Sequence, residues 1–182
     1  MQKGTEYSYY LSSGEYIELR LLASNNSIQE LTYLLNKSYK SLNDMGLKYV
    51  AATQDVSTTT KRIENAYMCF VGFCNGKIVA TISLYSPKFS STCNWYNKDF
   101  VAKVGQFAVL PEFQKFGIGS KMMDIVEHEA RGIENVKELA LDTAETAYHL
   151  IDFYIRRGYR FIETTNWSMT NYRSVILSKL IY

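Results

Sequence analysis

The chain has 182 residues, 47% of them apolar and 21% charged, and a net charge of +2. This is the balance of one globular domain able to bury its own core, and the small charge, with no Lys/Arg run, argues against nucleic acid as the main partner. No apolar stretch approaches the ~20 residues that span a bilayer, Met1–Tyr10 lacks the apolar core of a signal peptide, and two histidines with Cys69, Cys74 and Cys93 at no ligand spacing offer no metal set, so a cytoplasmic protein with free thiols is expected.

Tyr16–Leu22 alternates as a first strand. Asn25-Asn26-Ser27 offers an N-cap, and Ile28, Leu31, Leu34 and Leu35 repeat at helical spacing to about Leu42, where Asp44-Met45-Gly46 stops the helix. Gly46–Thr60 is polar and irregular, with a short helix expected over Thr58–Ile63. Tyr67–Phe73 and Lys77–Tyr85 flank Asn75-Gly76, a pair suited to a type I′ hairpin turn because both central residues need φ > 0. Pro87 ends that strand, and Ser86–Asp99 reads as a loop. A strand over Val101–Leu110 leads through a glycine-containing turn into a helix over Ile118–Arg131, with Gly132 at its end. Leu139–Asp142 is a short strand, and Thr143–Arg157 a helix capped by Gly158. Tyr159–Glu163 and Val175–Ile181 complete the strands.

The junction Gln114-Lys115-Phe116-Gly117-Ile118-Gly119-Ser120 is the most informative segment. A helix start presents N–H groups with no partner inside the helix, and its dipole adds positive potential, so an anion such as a diphosphate can sit there. Glycine permits φ > 0 and close approach of a ligand to the backbone. A P-loop is excluded, because Lys121 follows Ser120 rather than a glycine, and a dinucleotide fingerprint is excluded by Met122. An ordinary strand-to-helix turn is the plain alternative.

What remains, Gln114, Gly117 and Gly119 as Q-x-x-G-x-G behind Ala108-Val109-Leu110-Pro111, resembles the acetyl-CoA signature of the GCN5-related N-acetyltransferase (GNAT) superfamily. A second segment, Phe153-Tyr154-Ile155-Arg156-Arg157-Gly158-Tyr159, resembles the family's L-Y-x-x-x-G-F. The resemblance covers the whole chain and is specific from Val101 to about Arg160. It implies a single α/β domain with a mixed, mostly antiparallel sheet of six to seven strands flanked by about four helices. The fourth and fifth strands, here Val101–Leu110 and Leu139–Asp142, splay apart to admit the pantetheine arm.

The same resemblance implies acetyl-CoA as co-substrate, held by the backbone of Phe107, Ala108 and Val109 and by the loop Gln114, Lys115, Phe116, Gly117, Ile118, Gly119 and Ser120. Tyr154 is then the general acid that protonates the leaving thiolate, a phenol being of comparable basicity. A core tyrosine on an amphipathic helix is the bland alternative. Two departures stand out: Ala147 replaces an asparagine that many relatives carry, with Tyr148 or His149 as possible substitutes, and Lys115-Phe116 stands where Arg-Gly is common.

An alkylammonium is almost wholly protonated at neutral pH, so a base is required. Val101–Leu110 has no carboxylate; Asp142 and Glu145 are the candidates, with Glu112 or a water-mediated base as alternatives. Each carboxylate also has a structural reading, Asp142 as a helix cap, Glu145 at a helix start and Glu112 as a solvated side chain. Acceptor contacts are expected from Tyr49–Thr58, with Gln54 and Asp55, and from Trp167, Tyr172 and Arg173. The expectation is an N-acetyltransferase working by direct amine attack on an unknown small amine, as monomer or homodimer, without metal. A non-catalytic acyl-CoA-binding module and a structural α/β domain are the rivals.

Overall fold

The computed structural model describes residues 6–87 and 92–181; the first five residues of the expected polar start, and 88–91 within the expected Ser86–Asp99 loop, lie outside the described residues. Among the described residues are eight strands, β1 (Tyr7–Tyr10), β2 (Tyr16–Leu21), β3 (Met68–Cys74), β4 (Lys77–Tyr85), β5 (Val101–Val109), β6 (Glu138–Ala144), β7 (Arg160–Asn166) and β8 (Arg173–Leu180). Four α-helices accompany them, α1 (Ile28–Asp44), α2 (Val56–Glu64), α3 (Ile118–Ala130) and α4 (Tyr148–Arg156). The strands form one sheet in the order β1-β2-β3-β4-β5-β6-β8-β7, antiparallel throughout except for the parallel β5–β6 pair.

Local chemistry sets most boundaries. Ser27 accepts from the Glu30 amide at the start of α1, and Gly46 follows its end with φ +84°. Asp55 accepts from the Thr58 amide at 2.7 Å, which starts α2 at Val56, two residues before the expected position. Asn75 and Gly76 have φ of 50° and 76°, as the type I′ turn requires.

Two expectations are corrected. β1 was not anticipated: its four residues, Tyr-Ser-Tyr-Tyr, are mostly exposed at the sheet edge, so no alternation marks them, yet they pair with Tyr16–Leu19 of β2. The last helix begins at Tyr148 rather than Thr143, because Thr143 and Ala144 extend β6 and pair with Val175 and Ser174 of β8. Asp142 is therefore a strand residue rather than a helix cap, and Glu145 lies in the turn rather than at a helix start.

The core has two parts. Leu139, Leu141, Val175 and Leu177 face the large cluster that includes Phe70, Ile82, Met122 and Tyr154. Their alternating neighbours Ala140 and Ile176 face a smaller one with Cys93, Tyr96 and Val101. β6 is thus covered on both faces, which explains its continuous apolar run.

α4 is held at its C-terminal end. The Tyr159 and Gly158 amides donate to the Tyr154 and Ile155 carbonyls in a Schellman arrangement, with Gly158 at φ +88°. Arg157 pairs with buried Glu127 of α3 at 3.0 Å, and Lys179 of β8 reaches the other Glu127 oxygen at 2.7 Å. Glu127→Ala leaves two partly buried cations without this carboxylate and should cost at least about 2 kcal/mol in urea unfolding; a loss within ~0.5 kcal/mol, the range of ordinary surface changes, would show that the cluster does not fix α4.

Candidate active site

β5 and β6 pair only where they begin, through Val101–Glu138, Ala102–Leu139 and Lys103–Ala140. The reason lies on the other edge of β5. Gly105 pairs with Ser83 and Ala108 with Thr81, so two β5 residues, Gln106 and Phe107, stand opposite the single Ile82. Gln106 takes φ +50° to make this bulge, and a bulge bends and twists the strand that carries it. Past it, two β5 carbonyls are satisfied by side chains: Tyr39 donates its hydroxyl to the Phe107 oxygen at 2.8 Å, and Gln114 donates Nε2 to the Val109 oxygen at 3.0 Å.

The glycine loop sits beside this part of β5. Lys115 and Gly117 take φ of 69° and 81°. The Lys121 amide donates to the Gly117 carbonyl, so Ile118, Gly119 and Ser120 contribute the unpartnered amides of the first turn of α3. A Cβ on Gly117 would meet nothing within 4 Å, which leaves its surface open to a ligand. One on Gly119 would come 3.3 Å from the Phe107 ring, tying the loop to the strand. Ile118 is buried as the first core residue of α3, whereas Lys115 and Phe116 are exposed.

On α4, Tyr154 is 7% exposed and packs edge-on against Phe153 and Tyr159. The Phe153 ring in turn lies 6.5 Å from that of Phe107 on β5. Burial, reinforced by Tyr39, Tyr49 and Asp142, pushes the Tyr154 pKa far above the ordinary phenol value, so the hydroxyl stays protonated. Ala147 is buried, while Tyr148 and His149 are exposed.

A cavity of about 490 Å³ is lined by α1, α2, β5, β6 and the segment before β8. Asp142 is in its wall, accepting from Tyr96 at 3.0 Å and from the Trp167 indole N–H at 3.0 Å, with Lys103 Nζ at 3.6 Å. Tyr39, Tyr49 and Tyr172 form a row of rings 4.8–5.3 Å apart. The structure thus brings Asp142, Trp167 and Tyr172 together and sets other candidates aside. Glu145 is paired with Arg173 at 2.6 Å, and Glu112 with Lys37 at 2.7 Å, the latter at the surface. Asp55 caps α2, and Gln54 is buried behind the wall, donating to Thr59 and Gln106. Sequence reasoning missed Tyr39, Arg62 and Tyr96. The helical period marks Tyr39 and Arg62 as partly buried positions at most, and Tyr96 lies in a segment read as loop.

Against this geometry, the model of the Acetyltransferase (GNAT) family matches residues 29–159, and the chain belongs to that family. It is 33% identical over 140 residues, 76% of this chain and 81% of the relative, to S-(2-succino)cysteine N-acetyltransferase of Bacillus subtilis strain 168. It is 28% identical over 143 residues, 76% of each protein, to S-alkylcysteine N-acetyltransferase of the same organism. The fold matches the GNAT domain of S. lividans PAT with a TM-score of 0.70 at 14% identity, covering 96% of each chain. The protein is an N-acetyltransferase. Among the described residues no helix is long and apolar enough to cross a membrane, and no group of His, Cys, Asp and Glu could hold a metal ion.

The buried phenols make an alkaline prediction. Burial raises Tyr39, Tyr96, Tyr154 and Tyr159 above their unfolded pKa of about 10 and takes Tyr85 up to about 12. Their neutral form is favoured in the folded state, so this stability is complete below pH ~10 and is lost as pH rises above it. Urea midpoints should be level from pH 7 to 8, decline gently above about pH 8.5 as the three buried thiols titrate in the unfolded chain, and fall steeply between pH 10 and 11.5; a flat profile above pH 10 would contradict the burial of these hydroxyls.

Proposed function

We propose that the enzyme transfers the acetyl group of acetyl-CoA to the amine of a small amino acid of the S-substituted cysteine type, in the cytoplasm. The observation that carries the reading is the parting of β5 from β6, with the glycine loop beside one part of β5 and a ligand-sized cavity against another. The names of the two curated relatives support the acceptor class.

In this reading the amides of Phe116, Gly117, Ile118, Gly119 and Ser120 receive the diphosphate, and Gln114 and Lys115 shape the loop. The backbone of Phe107, Ala108 and Val109 lines the pantetheine arm, and a β5 N–H polarises the thioester carbonyl. The acceptor ammonium enters beside Asp142 and the aromatic rings and gives up its proton to Asp142, directly or through water. The free amine forms the N–C bond, the C–S bond breaks, Tyr154 supplies the proton to the departing sulfur, and the remaining excess proton on the nitrogen leaves as the amide forms and restores Tyr154. Tyr154 is a weak acid in its buried setting, but desolvation also raises the proton affinity of a thiolate formed beside it, so the two remain matched. Glu145, ion-paired with Arg173, has no part in this route.

Two variants test the reading. Tyr154→Phe should lower kcat about 100-fold or more with acetyl-CoA affinity little changed; equal turnover would remove Tyr154 from the mechanism. Gly117→Asp places bulk and negative charge at a position of φ +81° and should abolish acetyl-CoA binding by calorimetry; retained affinity in the folded variant would overturn the loop's role.

A further inference from the structure

The acceptor cavity is lined by three cations, Lys61, Arg62 and Lys103, and one carboxylate, Asp142. They are not equivalent. Lys103 is committed: its ammonium lies 3.6 Å from Asp142 and 4.5 Å over the Tyr96 ring. Lys61 is exposed. Arg62 is partly buried, and among the described residues no carboxylate lies within ion-pair distance of it. Its one side-chain hydrogen bond is long, 3.5 Å from Nη1 to Oε1 of Gln106.

A guanidinium partly withdrawn from water is often matched by an anion. The groups it touches are neutral. Gln106 is 8% exposed, and its Nε2 has no partner among the described residues. Tyr85 donates its hydroxyl to the Arg62 carbonyl at 3.1 Å, and its ring lies against Gly105. The Arg62 Nη1 lies 3.5 Å from the Gln106 side chain, which places the group against the β5 bulge. Asp142 is the one acidic residue among the described residues lining the same cavity.

We propose that Arg62, oriented by Gln106, binds the carboxylate of the acceptor and makes the enzyme selective for amino acids over simple amines. This rests on the acceptor reading above and deepens it. An α-amino acid carries its amine and its carboxylate on one carbon. With the carboxylate on Arg62 and the ammonium turned toward Asp142, the two ends of the acceptor meet opposite charges, and the amine is held beside the bulge. The planar fork of arginine suits a carboxylate in a way that a lysine ammonium does not. Arg62 is a specificity residue; Gln106 is a positioning residue.

The test compares S-methylcysteine with its decarboxylated counterpart, 2-(methylthio)ethylamine, in the full-length enzyme with acetyl-CoA. The wild type should prefer the amino acid in kcat/KM by roughly 10- to 100-fold, the range of one charge-assisted contact. In Arg62→Gln that ratio should collapse toward one, mainly through KM for the amino acid, while Arg62→Lys retains part of it. Thermal unfolding of each variant, with acetyl-CoA affinity, establishes that the fold and the co-substrate site are intact. A ratio that persists in Arg62→Gln, or equal losses on both acceptors, overturns the assignment while leaving the acetyltransferase reading in place. A wild type that binds acetyl-CoA yet neither binds nor acetylates S-methylcysteine overturns the acceptor class and this assignment together.

Discussion

The structure turns on a single extra residue in β5. If Gln106 and Phe107 did not share the place opposite Ile82, β5 would run on beside β6 and the sheet would close. A closed sheet would pair the backbone of Phe107 and Val109 with β6 and leave no room for an extended ligand. The positive φ of Gln106 is a local strain, of order 1 kcal/mol or more for a residue with a Cβ. It is held in place by what surrounds it: Gln54 donates to its Oε1 from beneath, Tyr39 takes the next carbonyl, and β4 pairs on either side. The glycine loop depends on the same feature, since Gly119 packs on the Phe107 ring that the bulge presents.

Around that opening the protein has gathered hydroxyls and indoles rather than carboxylates. Tyr49 illustrates why. Its hydroxyl accepts from the Ala144 amide at 2.9 Å and bonds Thr143 at 2.9 Å, so one neutral side chain satisfies backbone at the end of β6 while lining the cavity. A carboxylate there would have to be desolvated or paired. The one carboxylate admitted, Asp142, is met by a phenol, an indole and an ammonium. Those donors hold it in a fixed direction, and Arg62 is a partly buried lining cation with no carboxylate within ion-pair distance among the described residues.

Much of this was legible in the sequence. The hairpin turn at Asn75-Gly76, the glycine loop and the Tyr154–Gly158 spacing are local features whose geometry follows from the residues themselves. What was not legible depends on pairing across the chain. Thr143 and Ala144 look as helical as the residues after them, and only the ladder to β8 makes them strand. β1 has little alternation to read, because only Tyr9 of its four residues packs on the core. Among the site residues, Trp167 and Tyr172 could be nominated as aromatics near the last strands, but Arg62 could not be told from Lys61. The difference between a solvated cation and one turned into the cavity wall comes from how α2 lies against β5, long after its own period has been fixed.

The placement of the thiols bears on the chemical course. A route through an acyl-enzyme would need a cysteine that is ionised and open to the thioester. Cys69 is buried with its thiol pushed up by desolvation, and Cys74 is buried near the end of β3 with a shift in the same direction. Cys93 lies in the smaller core, donates to Glu163 at 3.1 Å, and is raised to about 11 chiefly by burial. None of the three lines the acceptor cavity, and none has a histidine partner among the described residues. A sulfur nucleophile would therefore have to leave its core, lose its proton and cross to the gap before the acceptor arrived. In the proposed pose, an amine between Asp142 and Arg62 would already be at the gap. Direct attack within a complex of both substrates would need only deprotonation of the amine, the role proposed for Asp142 or a nearby water, and it is consistent with thiols that are buried away from the opening.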